Sequence, residues 1–540
     1  MSAHPPSGSA THILSDMAER HPDLKCLDFL GSIQSYGDVW DQVRHAARGL
    51  QDLGITKGDR VGLCLPNCPY YVIGHYATLL CGATVVNFNP LYTEEELRHQ
   101  IVDSSVVVMF TLDLKTIYNK VSPALHTTCL RSIVVCALSE ALPPVKSLLF
   151  QAFKRAEVAA IPKDLGHVPF NLLIADNDEP KPIDIDAQKD IAVIQYTGGT
   201  TGTPKGALLT HVNIRANTEQ VRLWLGDTTP GQDKFLCVIP FFHVFAMTAA
   251  MNLGLVTGSE LILLPRFELK DVLATITDKK PTLFPAVPTI YGAINNAENL
   301  AAFDLTSIRY CISGGASLPP QVKTDFERLS GAVVVEGYGL TEASPVVACN
   351  PPLGTNKPGS IGQALPWTEI QCRALDNFKN TVALGEPGEL VVRGPQVMAG
   401  YLNTASETEL VLQEGWLRTG DVGYQDEDGY FFLTDRIKDM INCSGFNVYP
   451  RVIEDVLYRH PDVVEAVVIG IPDAYRGEAP KAFVTLKADA TATEESLLTF
   501  AHDHLNPIER PTAVEIRHSL PKTLIGKLSK KELIKEHSHG

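Results

Sequence analysis

The feature that most constrains the fold is an alternation, along roughly the first 350 residues, of short apolar runs with segments of helix length. The apolar runs include RVGLCLP, ATVVNF, VVVMFT, SIVVCA, DIAVIQYT, FLCVIP and ELILLP. Strands that are apolar throughout are typical of parallel sheets with both faces covered, and parallel strands need long crossover connections, usually helices. The alternation therefore predicts an α/β fold of layered, mostly parallel sheets with helices.

The rest of the chain has a different sequence pattern. The segments GELVVRGPQVMAGYL and DGYFFLTDR are rich in turn residues and alternate in polarity, which predicts a small β subdomain at about residues 350–436. Residues 437–540 contain two β runs, EAVVIGIP and KAFVTLK, together with helical patterns. We therefore predict an N-terminal domain over residues 1–436 and a small, mobile α+β C-terminal domain over residues 437–540, with a hinge in the polar segment DRIKDM.

Charge and cysteine content exclude some classes of function. The 540 residues include 46 Lys and Arg against 62 Asp and Glu, a net charge of −16. Nucleic-acid binding depends on clustered basic side chains, so the sequence predicts no such partner. The 11 cysteines are odd in number and scattered, which favours free thiols in a reducing compartment. With no secretory signal and no apolar run of about 20 residues, we expect a cytoplasmic protein without a transmembrane segment.

The stretch YTGGTTGTPKG, from Tyr196 to Gly206, has no residues from which a core could be built. It follows the apolar strand DIAVIQ, and the sequence THVNIRANTEQVRLWL after it predicts a helix. A strand, a glycine loop and a helix in succession can offer backbone N–H groups to a phosphate, and the threonine hydroxyls and the lysine add donors. The candidate phosphate-binding residues are Thr197, Gly198, Gly199, Thr200, Thr201, Gly202 and Lys205. The order of glycine and lysine differs from that of the P-loop.

Further motifs follow this loop in a recognisable order: PFFHVF, SGGASL, EGYGLTE, GWLRTGDVGYQDEDGYFFLTDRIKDMI, SGFNVYP and PKTLIGKL. Together they resemble the acyl-adenylate-forming superfamily, which includes fatty acyl-CoA synthetases, coumarate-CoA ligases, luciferases and peptide-synthetase adenylation domains. The resemblance covers nearly the whole chain and is closest to bacterial long-chain fatty acyl-CoA synthetases. It implies a two-step reaction that uses ATP, Mg²⁺ and coenzyme A. A carboxylate first attacks the α-phosphate of ATP, and a thiol then displaces AMP to give a thioester.

The resemblance assigns the motif EGYGLTE to the nucleotide and the metal. It implies that Tyr338, followed by Gly339, stacks on adenine, that Thr341 contacts the α-phosphate, and that Glu342 holds Mg²⁺ together with Thr197. A hard cation that binds phosphates needs only one or two protein carboxylates. Taken alone, Glu342 could equally start a helix and stabilise its N-terminus.

Two more nucleotide contacts are implied by the resemblance. Gly314 and Gly315, after the apolar strand IRYCI, would present backbone without side chains to the base, although a plain tight turn explains them equally well. Asp421 would accept hydrogen bonds from both ribose hydroxyls, and Arg436 would reach the ribose or a phosphate.

The resemblance also assigns roles to the C-terminal domain. Lys527, in LIGKLSKK, would lie between the α-phosphate and the attacking carboxylate, where one cation offsets two approaching anions. The domain would then rotate about a hinge at Lys438 to admit the thiol, and Gly445 would line the path of the pantetheine arm. In isolation, Lys527 is one of several clustered lysines, which usually face solvent.

The sequence narrows the acid without identifying it. His243, in PFFHVF, matches a residue on the carboxylate side of the acyl pocket, although a hydrogen-bonded core histidine is a strong alternative. The uncharged run VFAMTAAMNLGLVTG could line a hydrophobic tunnel or simply be a closely packed buried helix. Each chain methylene that enters such a tunnel gains about 0.8 kcal/mol, which favours a medium- to long-chain fatty acid. No carrier module follows Lys527, so free coenzyme A is the expected acceptor.

Several other functions remain open at this level. A ligase for an aryl, cinnamate-like or dicarboxylic acid would share the same motifs, and so would a luciferase-like enzyme. A nucleotide-binding regulator without turnover would keep the fold, and only product analysis excludes an ATPase that forms ADP. A homodimer and peripheral contact with the inner membrane surface are also compatible with the sequence. We find no basic amphipathic helix or lipidation signal that supports membrane contact.

Overall fold

The structure is a computed structural model that describes residues 4–176, 178–197, 204–444, 446–473, 475–487, 489–523 and 528–537. In chain order, the strands of the first half are β1 (Lys25–Phe29), β2 (Ser32–Ser35), β3 (Arg60–Cys64), β4 (Thr84–Asn87), β5 (Val108–Leu112), β6 (Ser132–Cys136), β7 (His167–Pro169), β8 (Ile191–Tyr196), β9 (Gly206–Thr210), β10 (Lys234–Cys237) and β11 (Glu260–Leu263). They are followed by β12 (Tyr310–Ser313), β13 (Val333–Gly339), β14 (Val346–Cys349), β15 (Gln363–Ala364), β16 (Glu369–Arg373), β17 (Gly388–Arg393), β18 (Gly400–Tyr401), β19 (Leu412–Gln413), β20 (Trp416–Gln425), β21 (Phe431–Arg436), β22 (Ile441–Cys443), β23 (Phe446–Val448), β24 (Val463–Asp473), β25 (Gly477–Leu486) and β26 (Ala513–Ile516).

Helices connect most of these strands. In the first half they are α1 (His12–Arg20), α2 (Tyr36–Asp52), α3 (Pro69–Leu80), α4 (Glu94–Ser104), α5 (Lys115–Val121), α6 (Ala124–Thr127), α7 (Leu138–Ala141), α8 (Pro144–Phe153), α9 (Phe170–Leu173) and α10 (His211–Leu225). They continue with α11 (Val244–Ala246), α12 (Leu253–Val256), α13 (Leu269–Lys279), α14 (Pro288–Asn295), α15 (Pro320–Ser330), α16 (Ala405–Val411), α17 (Pro450–Leu457), α18 (Glu494–His504) and α19 (Lys530–His537). A π-helical turn, Met247–Asn252, joins α11 to α12.

The largest sheet has eight strands in the order β18-β9-β8-β4-β3-β5-β6-β7. From β8 to β7 every pair is parallel, whereas β9 is antiparallel to both β8 and β18. Strands β4 and β5 are buried along their whole length, as expected for a parallel sheet with both faces covered. This sheet confirms the predicted α/β class.

A second layer is built from the sheets β10-β11-β1-β2 and β12-β13-β14-β15. Leu283 forms parallel bridges to Phe235 of β10 and to Tyr310 of β12, and so links the two sheets. Helix α3 lies between this layer and the eight-stranded sheet. Its Tyr71 hydroxyl contacts both of them: it donates to Asn87 of β4 and to the carbonyl of Phe241 after β10. Eleven of the twelve α3 residues are buried, and this explains the continuous apolar sequence of the helix.

The remaining strands form two smaller sheets. Strands β16, β17, β20, β19 and β21 pair antiparallel, within the region predicted as a β subdomain. Strands β22 to β26 form a mixed sheet with α17, α18 and α19 packed beside it. Its buried residues make two core clusters separate from the main core, one of them running from Ile441 to Val514. The domain boundaries 1–436 and 437–540 remain a prediction. Within the described ranges, no helix combines the length and apolar composition needed to cross a membrane.

Candidate active site

Predicted site residues of the N-terminal region lie at the carboxyl ends of parallel strands. Strands β12 and β13 are parallel neighbours; Gly314 directly follows β12, and Tyr338 lies near the end of β13. Ligands of open α/β sheets bind outside the carboxyl ends of their strands. This edge is therefore the candidate nucleotide site.

Tyr338, Asp421 and Arg436 form one hydrogen-bonded cluster at this edge. The Tyr338 hydroxyl donates to Oδ2 of Asp421 at 2.6 Å, and Nε of Arg436 lies 3.0 Å from Oδ1. Asp421 in β20 and Arg436 in β21 are direct cross-strand partners, so the antiparallel register positions their pair. The structure thus brings together three residues that are distant in the sequence.

The ionisation of this cluster follows from burial and pairing. Burial raises the pKa of the Asp421 carboxyl, while Arg436 and the Tyr338 hydroxyl oppose that rise. The charge of Asp421 raises the pKa of the Arg436 guanidinium, which remains a cation. Burial also raises the pKa of Tyr338 well above its usual value, so its hydroxyl keeps the proton that it donates.

Gly314 lies against the motif that was predicted to face the acyl group. A Cβ atom at Gly314 would come within 3.0 Å of the Phe245 ring, so a side chain there would press on PFFHVF. Gly315 continues the turn. Ser313, which precedes Gly314, is fully buried, and its hydroxyl has no hydrogen-bond partner in the described part of the chain. The predicted nucleotide side and the predicted acyl side of the site therefore meet at Gly314.

Gly339 and Thr341 lead into the turn that carries Glu342. A Cβ at Gly339 would lie 2.1 Å from the Pro345 carbonyl oxygen, so this close approach requires glycine. Thr341 begins a short 3₁₀ turn that ends at Ala343. The residues predicted to contact the α-phosphate and the metal thus lie on a short turn that follows β13.

Glu342 has a partner that the sequence did not reveal. The hydroxyl of Tyr401 donates to Oε1 of Glu342 at 2.6 Å, and the Met398 amide donates to the Glu342 carbonyl at 2.8 Å. Among the residues that the structure describes, Oε2 of Glu342 accepts no hydrogen bond, and no group of three His, Cys, Asp or Glu side chains could hold a metal ion. One carboxylate oxygen of Glu342 is thus not engaged by any described residue, which fits the few protein ligands that Mg²⁺ takes when it is bound with phosphate.

The glycine loop is a hairpin connection, which corrects the predicted strand–loop–helix order. Strand β9 follows the loop and pairs with β8, with Tyr196 opposite Gly206. Helix α10 starts only after β9, where the hydroxyl of Thr210 accepts from the amide of Asn213. The helix N-terminus therefore does not follow the loop directly. Gly198, Gly199, Thr200, Thr201 and Gly202 lie outside the described residues.

The two residues that flank the loop are positioned by defined contacts. The amide of Thr197 donates to the carbonyl of Lys205 at 2.9 Å and closes the hairpin. Nζ of Lys205 lies 2.5 Å from Oε2 of Glu407 on α16 and 5.4 Å from the centre of the Tyr401 ring. Glu407, like Tyr401, was missed because only the pairing of β18 with β9 brings its segment to the loop.

His243 is held by a buried polar network. Asn87 donates to Gln195 at 2.9 Å, and Gln195 donates to the carbonyl of Phe242 at 2.9 Å. Nδ1 of His243 accepts from the Phe245 amide at 3.3 Å, so the imidazole caps helix α11. This bond accounts for one ring nitrogen, in keeping with the structural alternative for His243.

The apolar run after His243 is a buried helix interrupted by the π-helical turn. All six residues of that turn are buried, and Oγ1 of Thr248 donates to the Ser344 carbonyl at 2.7 Å. The run therefore packs against the turn that carries Glu342. π-Helical turns occur often at functional sites, and this one adjoins both predicted halves of the site.

The junction with the C-terminal region carries Lys438. This exposed residue lies in the 3₁₀ turn Ile437–Asp439, two residues after Arg436, and partial desolvation together with the Arg436 charge lowers its pKa. Across the junction, the amide of Arg451 donates to Oδ2 of Asp435 at 2.9 Å. Gly445 and Lys527 lie outside the described residues, so their predicted roles stay predictions.

Comparison with known proteins agrees with this geometry. Residues 14–402 match the family described as AMP-binding enzyme, and residues 452–527 match the AMP-binding enzyme C-terminal domain. A long-chain-fatty-acid–CoA ligase of Bacillus subtilis (strain 168) is 44% identical over 537 residues, which cover 99% of this chain and 95% of the relative. A protein of Dictyostelium discoideum named probable 4-coumarate–CoA ligase 1 is 35% identical over 506 residues, 92% of this chain and 89% of the relative. The crystal structure of ATP-bound MatB from Rhodopseudomonas palustris superposes with a TM-score of 0.85 at 26% identity, covering 98% of this chain and 99% of that one.

Proposed function

Since this chain belongs to the family of AMP-binding enzymes, we propose that it activates a medium- to long-chain fatty acid with ATP and transfers the acyl group to coenzyme A. The observation that carries the proposal is the contact at Gly314, where a polar nucleotide site meets an uncharged, buried segment. The near-full-length similarity to a relative named long-chain-fatty-acid–CoA ligase supports the choice of acid.

In the proposed first step, the residues of this chain orient ATP and stabilise charge. Tyr338 lies against the adenine, Asp421 accepts from the ribose hydroxyls, and Arg436 approaches the ribose or a phosphate. A carboxylate oxygen of the acid forms a bond to the α-phosphorus, and the bond from the α-phosphorus to the bridging oxygen breaks, so that pyrophosphate leaves with its electron pair. Little covalent help is needed, because fixed donors and cations stabilise the charge that develops.

In the proposed second step, the thiolate of coenzyme A attacks the acyl carbonyl carbon. The bond from that carbon to the AMP oxygen breaks, and AMP leaves as the anion. Gly445 would line the path of the thiol, and Lys438 would be the hinge residue that opens it. The position of Lys438 in the turn Ile437–Asp439, between β21 and the C-terminal region, supports a role at the junction.

We include Mg²⁺ as a bound ion of the proposed reaction. Glu342 and Thr197 would hold it, and it would neutralise charge on the phosphates. Support comes from the position of Glu342 at the end of β13, with one carboxylate oxygen engaged by Tyr401 and the other without a hydrogen bond from any described residue.

The alternative acid is an aryl or cinnamate-like one, and the similarity to the Dictyostelium protein named probable 4-coumarate–CoA ligase 1 favours it. The higher identity to the fatty-acid relative, 44% against 35%, supports the fatty acid as the first choice. For a dicarboxylic acid, a cation facing the far end of the acyl pocket would be needed, and the run from Val244 to Val256 carries none.

A cytoplasmic location with peripheral contact to the inner membrane surface is part of the proposal, because the substrate is apolar. The homodimer remains a prediction from the sequence. A regulator without turnover is disfavoured, because the described site keeps Lys205, Glu342 and the Asp421 cluster.

The test of the proposed function is a panel of acids incubated with ATP, Mg²⁺ and coenzyme A. Fatty acids from octanoate to oleate, together with coumarate, benzoate and malonate, are compared for AMP, pyrophosphate and thioester. We expect the highest kcat/KM with a fatty acid and equal amounts of AMP and thioester. Release of orthophosphate with ADP would contradict the reaction, and a preference for coumarate or malonate would move the assignment to the alternative acids.

Lys527 is tested by measuring the two half-reactions separately. Lys527→Ala is expected to abolish acyl-AMP formation and largely to spare thioester formation from supplied acyl-AMP, because the cation is needed only where two anions meet. Lys522→Ala, a nearby lysine that forms an ion pair with Glu465 at 2.6 Å, serves as the control. Equal loss of both half-reactions in Lys527→Ala would remove the residue from its proposed role.

A further inference from the structure

Helix α8 presents an apolar stripe to solvent. Val145, Leu148, Leu149 and Phe153 follow helical spacing, and their exposed fractions are 70%, 69%, 52% and 79%. None of the ten residues of the helix is buried. Single exposed apolar residues are ordinary, but four on one face of a helix form a patch of the kind that marks an interaction site.

The stripe belongs to an anchored helix. Nζ of Lys146 donates to the Leu30 carbonyl at 2.8 Å near the start of α8. Just beyond its end, Nζ of Lys115 donates to the Ala156 carbonyl at 2.7 Å. These bonds attach both ends to the body, so the exposed face keeps its orientation.

The segment that contains this helix is basic, unlike the chain as a whole. Residues 144–163 contain four basic side chains and one acidic one, a charge of +3 in a protein of net charge −16, and the acidic Glu140 and Asp164 lie outside this segment on either side. The basic residues are Lys146, Lys154, Arg155 and Lys163. Lys154 is paired with Glu157 at 2.5 Å, whereas Arg155 forms no ion pair with the described residues. An apolar stripe next to basic side chains is complementary to the interface of an anionic membrane.

We propose that α8 is a membrane-docking helix that lies in the interface of a bilayer containing anionic lipids. The stripe of Val145, Leu148, Leu149 and Phe153 enters the boundary between headgroups and acyl chains, and Arg155 and Lys163 contact the lipid phosphates. This corrects the absence of a basic amphipathic helix in the sequence analysis. The sequence did not reveal this helix because its apolar spacing is the same as that of a helix face packed on the core. Only the structure shows that the apolar face is exposed to water.

The position of α8 is compatible with an accessible active site. It lies in the connection between β6 and β7 at one edge of the large sheet, whereas the glycine loop joins β8 and β9 towards the other edge. In the order β8-β4-β3-β5-β6, four strand spacings of about 4.8 Å separate β8 from β6 by roughly 19 Å. This inference specifies the surface through which the proposed membrane contact would occur. It rests on the proposed function only in one respect, namely that docking would give the enzyme access to an apolar substrate.

The test is flotation of the full chain, without ATP, acid or coenzyme A, with vesicles of equal parts phosphatidylcholine and phosphatidylglycerol. We expect the wild-type protein to float with these vesicles and to bind pure phosphatidylcholine much less. Leu148→Ser/Phe153→Ser should lower the partition coefficient at least about tenfold, because two apolar side chains no longer enter the interface. Arg155→Gln/Lys163→Gln should lower it several-fold at low salt and less at high salt.

A matched control is Leu353→Ser/Leu384→Ser, which removes two leucines that are 73% and 62% exposed elsewhere on the surface. It should float like the wild type, and all variants should keep the wild-type melting temperature, because the replaced side chains are exposed. Failure of the wild type to float, or equal flotation of Leu148→Ser/Phe153→Ser, would overturn the proposal. So would a wild-type dimer that this variant converts to a monomer in sedimentation, since the occupant would then be a second copy. None of these outcomes depends on ligase activity, so each leaves the proposed reaction to its own test.

Discussion

Two charged clusters at the candidate site differ in how completely their charges are paired. Asp421 is 7% exposed, and each of its carboxylate oxygens has one partner, the Tyr338 hydroxyl or the Arg436 guanidinium, whose side chain is 51% exposed. Lys205 and Glu407 are 34% and 40% exposed, and among the described residues each forms an ion pair only with the other. A buried charge must be paired at all times, whereas a half-exposed pair exchanges partners at little cost. The first cluster is therefore preorganised for the nucleoside, and the second is ready to release Lys205 to a phosphate.

The substitution with the largest expected effect on ATP binding is Asp421→Ala. The change leaves the Arg436 charge and the Tyr338 hydroxyl without their partner, and it removes the proposed ribose acceptor. Because Arg436 is 51% exposed, the main cost is the loss of two proposed hydrogen bonds from the ribose to a charged acceptor, each about 1.5–3 kcal/mol, so we expect kcat/KM for ATP to fall by about a hundredfold or more. Steady-state kinetics with ATP as the varied substrate measure the effect.

The matched control for this change is Asp233→Ala, another buried carboxylate paired with an arginine, Arg309, just before β12. It should lower the melting temperature and leave the KM for ATP unchanged. If both variants lost ATP affinity alike, the Asp421 cluster would be structural.

A second buried carboxylate, Glu336 on β13, sharpens the comparison, because it forms no ion pair with the described residues. Oε1 of Glu336 accepts from the Leu318 amide at 3.2 Å, and burial raises its pKa to about 7. The charged groups that face it are Arg451, Asp455 and Lys323. Between its ordinary value of 4.5 and about 7, the folded protein holds a proton that the unfolded chain has lost. Stability due to this group therefore falls as the pH rises through that window.

Glu336→Gln should remove this fall. The variant gains stability relative to the wild type as the pH rises, by about 3 kcal/mol at most above pH 7. Calorimetric melting temperatures from pH 5 to pH 8 measure the difference. Parallel pH profiles of the two proteins would show that Glu336 does not titrate in this window.

Tyr401→Phe tests whether the Glu342 carboxylate is held in place for a metal. The tyrosine donates to Oε1 of Glu342 at 2.6 Å, and a hydrogen bond to a charged group contributes about 1.5–3 kcal/mol. We expect the Mg²⁺ concentration for half-maximal rate to rise by about tenfold, with a smaller fall in kcat at saturating Mg²⁺. A purely structural role would lower stability without moving the Mg²⁺ dependence.

Tyr430→Phe is the corresponding control, because Tyr430 also donates at 2.6 Å and also lies beside a lysine, Lys357. Its acceptor is the Thr355 carbonyl, outside the described site. The Mg²⁺ dependence of this variant should equal that of the wild type, and a shared shift would remove Tyr401 from its positioning role.

The sequence predicted the parts of the site that depend on local pattern. The parallel strands were predicted because they are apolar throughout. Tyr338, Asp421 and Arg436 were predicted through motifs, and the structure brings them together, while their roles stay predictions. The sequence could not predict that Asp421 and Arg436 are cross-strand partners, because the register of β20 and β21 is set by long-range pairing. Tyr401 and Glu407 were missed for the same reason, since only the pairing of β18 with β9 brings them to the loop. The β9 hairpin was missed because GALLT is too short to distinguish from the start of a helix.

The smallest predicted effect belongs to the cluster that exchanges partners. Glu407→Gln removes a half-exposed ion pair that contributes at most about 1 kcal/mol, so stability should change little. Because Lys205 no longer has to leave a carboxylate, the KM for ATP should fall by about two- to fivefold, most clearly at low salt. Glu409→Gln, an exposed carboxylate on the same helix, should leave the KM unchanged. In a Lys205→Met background, Glu407→Gln should have no effect on ATP binding, because the competition requires both partners. A weaker affinity for ATP in Glu407→Gln alone would instead mean that the pair orients Lys205 towards the phosphates, and the two clusters would then both be preorganised.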